Sequence, residues 1–168
     1  MYAYAYYNVG MSLSEPVSEL SDNLGYWHNR LNRLVEIGFE RRLAGSGLTV
    51  SQWSVMALIF HRQARTIGEL ADAFPLDQGA VSRLVDRLRE KSLVVRRRHE
   101  SDRRLTIVEL TQQGRALMPA LAAAADDNDA SFFGVLGDDE IAEYRRLLAK
   151  LLMHAAREVD DERDRNAG

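Results

Sequence analysis

The chain has 168 residues and no cysteine. That absence excludes disulfides, thiolate metal sites and cysteine-based redox sensing. No apolar run approaches the roughly 20 residues of a membrane span. The first ten residues, MYAYAYYNVG, have neither a positively charged region nor an apolar core, so they do not read as a secretory signal. A cytoplasmic location, with no membrane partner, is the expectation. His28, His61, His99 and His154 show no metal-ligand spacing. There is no His-Glu-x-x-His motif, Gly-rich phosphate loop or nucleophile elbow. Neither a metal, a cofactor nor a catalytic set is therefore expected. Internal repeats and low-complexity linkers are also missing. The acids at Asp126-Asp127 and Asp138-Asp139 read as caps and solvated charge.

What is present is an uneven charge. The chain carries a net −3, which is unpromising for a partner of nucleic acid. Between Arg83 and Arg104, however, nine Lys and Arg stand against four acids, a net of +5 that leaves −8 on the rest. A polyanion responds to the local field, and here one segment concentrates the positive charge.

That segment lies within Leu76–Thr111, LDQGAVSRLVDRLREKSLVVRRRHESDRRLTIVELT. Asp77 is a helix N-cap residue type. Val81, Leu84, Val85 and Leu88 follow at i, i+3, i+4 and i+7, one apolar stripe. The other face carries Gln78, Ser82, Arg83, Asp86, Arg87 and Arg89. The period then changes: Leu93–Val95 and Leu105–Leu110 read as strands around a basic connection, Arg96–Arg104. A polar, Arg-bearing helix followed by a basic hairpin suggests a winged helix-turn-helix. The helix would enter the major groove, and the wing would follow the backbone or the minor groove.

The same residues resemble the MarR family of bacterial transcription regulators. The runs VSRLVDRLREKSLVVRR, DRR and VELTQQGRAL carry the resemblance, with LTVSQWSVMALI and GELADAF upstream. It extends over roughly Leu20–Leu152. The most specific part is D-x-R at the wing tip followed by L-T-x-x-G. One departure is Ser92, where the family has a helix-ending glycine; serine disfavours the left-handed conformation there, so a differently shaped turn is expected. Some members sense oxidants through cysteine, a route closed to this chain. The resemblance implies a homodimer that binds double-stranded DNA. It also implies that Asp102 orients the wing tip, that Arg104 enters the minor groove, and that repression is the usual outcome.

The expected architecture is mainly α with a small β-hairpin wing: a winged helix-turn-helix DNA-binding lobe plus a helical dimerisation region. Residues 1–16 read as a flexible tail, with Met11 an alternative start that N-terminal mass spectrometry would identify. Residues 17–45 read as a dimerisation helix with Leu20, Leu24, Trp27, Leu31, Leu34, Val35, Phe39 and Leu43 on one stripe, weakened at Gly38. Residues 46–111 form the DNA-binding lobe. In it, Thr49-Val50-Ser51-Gln52 and Thr66-Ile67-Gly68-Glu69 are capping boxes. Residues 112–158 read as two further dimerisation helices, the first capped by Thr111 and kinked at Pro119, the second capped by Asp138. Residues 159–168 read as a charged, frayed tail.

Gln78 and Ser82 are assigned to base edges, and Arg83 to bases or phosphates. Arg87 and Arg89 are assigned to phosphates or internal acids, and the Arg96-Arg97-Arg98 run and Arg103 to phosphates. The competing reading for the helix is internal pairing, Arg83 with Asp86 or Arg87 with Glu90, worth a few tenths of a kcal/mol. The resemblance further implies a small aromatic or phenolic acid effector. Trp27, His28, Arg30, Trp53, Met56 and Phe60, with His61, are the candidates to line its site; an aromatic stripe at this spacing is also ordinary core. Two other functions compete: a dimeric small-molecule-binding module that regulates a protein partner, and a small helical enzyme. The first would lack salt-sensitive DNA affinity. The second would need a convergent catalytic set, which the sequence does not offer.

Overall fold

The structure is a computed structural model that describes residues 19–74, 77–98 and 106–166. Six α-helices and one hairpin occur among the described residues: α1 (Leu24–Leu43), α2 (Val50–Phe60), α3 (Ile67–Ala73), α4 (Gln78–Glu90), β1 (Val94–Arg98), β2 (Thr106–Leu110), α5 (Gln112–Phe133) and α6 (Asp138–Asn166). The mainly helical fold with a two-stranded antiparallel wing is the one expected. The flexible-tail reading of residues 1–16 falls outside the described residues. Among the described residues no single helix is long and apolar enough to cross a membrane.

The chain divides into two units after Leu34. In the first, the expected helix from Val17 does not run unbroken. A 3-10 turn covers Leu20–Asp22, and α1 starts afterwards. The cause is Asn23, whose Oδ1 accepts the Tyr26 N–H at 3.1 Å, as a helix N-cap does. The Trp27 indole N–H donates to the Ser21 carbonyl at 2.8 Å and ties the turn down.

In the second unit, apolar side chains from the end of α1 through α5 close on one core. Leu43, Val55, Met56, Leu70, Val81, Val85, Leu88 and Val108 are fully enclosed. Gly38 has a role beyond its poor helix propensity. A β-carbon there would collide with the Phe132 ring and lie 2.8 Å from Asn128 Oδ1. The missing side chain lets α5 approach the helix backbone. Asn128 is buried at this crossing; its amide donates to the Val35 carbonyl at 3.3 Å and its oxygen accepts from Arg42 at 3.0 Å. Helix α5 continues through Pro119, which lacks the N–H that would bond four residues back.

Helix starts follow the sequence closely. Thr49 and Thr66 both form complete capping boxes, and Thr111 accepts from the Gly114 N–H. Glu69 accepts from the Arg65 and Thr66 N–H groups at 2.7 and 2.9 Å. Those bonds, the Arg65 one first, hold its carboxyl below the usual glutamate range. At α6 the cap differs: Asp138 is already helical, and the Gly137 N–H donates to Glu140 at 2.9 Å. The helix also runs to Asn166, past the point where its charged composition suggested fraying.

Ser92 settles the turn into the wing. It adopts φ 59°, the left-handed conformation, in place of a differently shaped turn. Its N–H donates to the Arg89 carbonyl at 2.8 Å, and the Leu93 N–H to the Leu88 carbonyl at 3.0 Å. Leu88 and Leu93 are both buried, completing a Schellman motif without glycine. Two hydrogen bonds and one apolar contact outweigh a left-handed cost of about 1–2 kcal/mol. Ser92→Gly should therefore stabilise the protein by about 0.5 kcal/mol, after the larger backbone entropy of unfolded glycine is subtracted. A urea midpoint that fell instead would contradict this account.

Candidate nucleic-acid interface

Helices α3 and α4 form the helix-turn-helix. Phe74 ends α3, and Pro75 and Leu76 lie outside the described residues. Asp77 Oδ1 then accepts the Ala80 N–H at 2.8 Å and starts α4. Val81, Val85 and Leu88 bury one face of α4 over Leu70 and Ala71 of α3. The opposite face leaves Gln78, Arg83 and Arg87 exposed, with Ser82 half-buried beside them. The internal pairs weighed against DNA contact do not form: Asp86 pairs with Arg89 at 3.5 Å and with Arg96 at 3.3 Å. Among the described residues Arg83 and Arg87 have no acidic partner.

These two arginines, with Ser51, Ala80 and Leu84, line a cleft of about 220 Å³ between the start of α2 and the outer face of α4. Ser51 was missed in the sequence because its visible role was within a capping box. No local spacing signals a contact with a helix so far along the chain. The far end of α4 is anchored by Lys91, whose ammonium donates to the Gly47 carbonyl and to Gln52 Oε1. Lys91 therefore serves the fold, although composition counts it with the basic segment.

The wing requires a correction. The basic connection was expected to begin at Arg96, but β1 extends to Arg98 in register with β2, pairing Arg96 with Val108 and Arg98 with Thr106. Strand alternation then sends successive arginines to opposite faces. Arg96 falls on the face of Val94 and Val108, which are buried. Its guanidinium reaches α4. Its Nη2 donates to the Ser82 carbonyl at 3.3 Å and to Ser82 Oγ at 3.0 Å, and pairs with Asp86. Arg97 faces the other way, 3.4 Å from Glu109, which also holds Arg65 at 2.6 Å. A single bridge between Thr66 and Ile107 and a Val108 N–H bond to the Arg65 carbonyl join the wing to the start of α3. Arg98 is exposed. Asp102, Arg103 and Arg104 lie outside the described residues.

The L-T-x-x-G motif closes the wing onto α5. The Thr111 hydroxyl donates to the Ser92 carbonyl at 2.8 Å and accepts from the Gly114 N–H at 3.0 Å. The Thr111 N–H meets the Leu93 carbonyl at 3.0 Å. Gly114 is buried so close to that carbonyl that a β-carbon would overlap the Leu93 oxygen.

Of the candidate effector residues, Trp27, His28 and Arg30 are exposed on the first unit's part of α1. Arg30 lies over the Trp27 ring at 5.6 Å and donates to the Tyr26 hydroxyl at 3.2 Å. In the second unit Met56 is wholly enclosed in the core. Trp53 packs edge-on against Phe39, with ring centroids 4.7 Å apart. Its indole N–H is buried with no acceptor among the described residues. Phe60 and His61 are exposed and pack edge to face. A separate apolar cavity of about 360 Å³ lies between the end of α5 and the start of α6, lined by Phe133, Leu136, Ile141, Tyr144 and Leu148 among others. The sequence reading did not anticipate it.

Comparison with known proteins points the same way. The MarR family model matches residues 48–106. The transcriptional regulator MgrA of Staphylococcus aureus is 30% identical over 114 residues, which is 68% of this chain and 76% of MgrA. The structure of Bordetella bronchiseptica BpsR, described in terms of regulation of its DNA binding by 6-hydroxynicotinic acid, aligns with a TM-score of 0.74 and 26% identity. It covers 81% of this chain and 97% of that one. A mutant MarR from E. coli complexed with operator DNA aligns with a TM-score of 0.72 and 28% identity, covering 80% and 99%.

Proposed function

The chain belongs to the MarR family of transcriptional regulators, and from that premise we propose that it acts as a homodimeric, cytoplasmic repressor on a pseudo-palindromic operator. The observation that carries the DNA-reading part is the exposed face of α4, where Gln78, Arg83 and Arg87 have no competing acid among the described residues. Gln78 and Ser82 read base edges from the N-terminal half of the helix. Arg83 and Arg87 take phosphates at the cleft shared with Ser51. Arg98 and Arg103 add backbone contacts from the wing, and Arg104, oriented by Asp102, enters the minor groove.

Dimerisation is supported by apolar surface too extensive for a lone chain. Leu20, Leu24, Trp27, Leu31 and Leu34 are exposed in the first unit, and Leu147, Leu151, Leu152 and Met153 on α6. A small aromatic acid acts as the releasing effector, by binding better to the dimer whose lobes are wrongly spaced for DNA. The relative BpsR, described in terms of regulation of its DNA binding by 6-hydroxynicotinic acid, supports this reading. The relatives are named as regulators, and catalysis forms no part of this reading.

Light scattering and footprinting on DNA from the upstream region of its own gene test it together. A dimer protecting two half-sites about one helical turn apart is the expected result. A monomer, or protection of a single half-site, would overturn it.

A further inference from the structure

We infer that Arg96 is a positioning residue that directs the hydroxyl hydrogen of Ser82, so that this position of the recognition helix favours base acceptors over cytosine. The inference rests on the proposed insertion of α4 into the major groove. It departs from the usual expectation for a wing arginine, which is contact with DNA phosphate.

Three observations carry it. Strand register places Arg96 on the inward face of β1, opposite buried Val108. Its Nε is buried with no partner among the described residues, and its side chain is 28% exposed. Its Nη2 stands 3.0 Å from Ser82 Oγ and 3.3 Å from both the Ser82 carbonyl and Asp86 Oδ1. Asp86 is also shared with Arg89, so the cation is held between α4 and the wing.

A serine hydroxyl has one hydrogen and two lone pairs, and free rotation lets it donate or accept. A guanidinium donating to Oγ takes one of the two lone pairs and repels the hydroxyl hydrogen, which leaves one donor and one lone pair. That hydrogen then points away from the wing and finds no acceptor among the described residues. In the major groove it is satisfied by guanine N7 or O6, adenine N7 or thymine O4, whereas cytosine offers only its amino donor. Opposite cytosine that hydrogen is left unsatisfied, so Ser82 disfavours cytosine at the base it faces, and Arg96 is the cause of that bias without touching DNA.

Selection from a pool of randomised duplexes, sequenced after binding, tests this on the full-length protein. The wild type should deplete cytosine at one position of each half-site. Ser82→Ala and Arg96→Gln should each flatten that position by about five- to tenfold, the worth of one hydrogen bond, and leave the other positions and the salt dependence unchanged. If Arg96→Gln does not fold, Arg96→Met, which fills the volume without charge, is read in the same way. Affinity that falls equally for all sequences, with a salt slope shallower by about one, would make Arg96 a phosphate contact and overturn the inference. So would a flattened position in Ser82→Ala that persists sharply in a folded Arg96 variant. A wild type that selects no motif at all removes the groove-reading role of α4 itself, a different failure from either of these.

Discussion

Replacing Gly114 by alanine should destabilise the protein by about 3 kcal/mol, in the range of a forced overpacking with a broken backbone hydrogen bond. The prediction runs against local propensity. Gly114 lies within the first turn of α5, and in an unconstrained helix alanine is better than glycine by about 1 kcal/mol. Here a β-carbon would overlap the Leu93 carbonyl oxygen and stand 3.1 Å from the Leu93 carbonyl carbon. Neither atom is the end of a flexible side chain. The same oxygen accepts the Thr111 N–H at 3.0 Å, so moving it breaks the bond that seats the wing on α5. The Leu110 side chain, 3.4 Å away, closes the other side. Urea denaturation decides the matter. A Gly114→Ala protein as stable as the wild type, or more so, would mean that wing and helix are not in this close contact.

The second large effect concerns binding. Arg83→Ala combined with Arg87→Ala should lower affinity for operator DNA by about a hundredfold or more at moderate salt, since charge-assisted phosphate bonds are lost from both protomers. The slope of log affinity against log salt should flatten by close to one unit for each phosphate contact removed. Thermal stability should barely change, because both side chains are exposed and lack an acidic partner among the described residues. A lowered melting temperature with unchanged affinity would return both residues to the internal-pairing reading.

The parts of the fold legible in the sequence are those specified by neighbours along the chain. Capping boxes at Thr49 and Thr66 and the caps at Asp77 and Thr111 depend on residues three positions apart, and each forms as read. The stripe of Val81, Val85 and Leu88 depends on helical period and is buried as expected. What escaped depends on contacts between distant segments or on competition between local signals. Asn23 interrupts the first helix because a polar cap within an apolar stripe outcompetes continuation. Arg96 looked like the start of a loop because the apolar run stops before it, yet pairing with β2 carries the strand on and turns that one arginine inward. Ser92 holds a left-handed turn because the Leu88–Leu93 contact and two backbone bonds stabilise it, none of which a residue-type preference encodes. The cations of the basic segment thus have different surroundings. Lys91 and Arg96 hold the fold, Arg89 and Arg97 are shared with acids, and Arg83, Arg87 and Arg98 remain exposed.

DNA recognition by this chain is proposed to run through the exposed face of α4 and the wing. Fluorescence anisotropy of the purified protein tests it most directly, on labelled duplex from upstream of its own gene against a scrambled duplex, over a salt series. The account predicts tight binding to the former, at least about a thousandfold weaker binding to the latter, and a steep linear loss of log affinity with log salt. Weak binding that does not distinguish the two duplexes, or that is indifferent to salt, would contradict it.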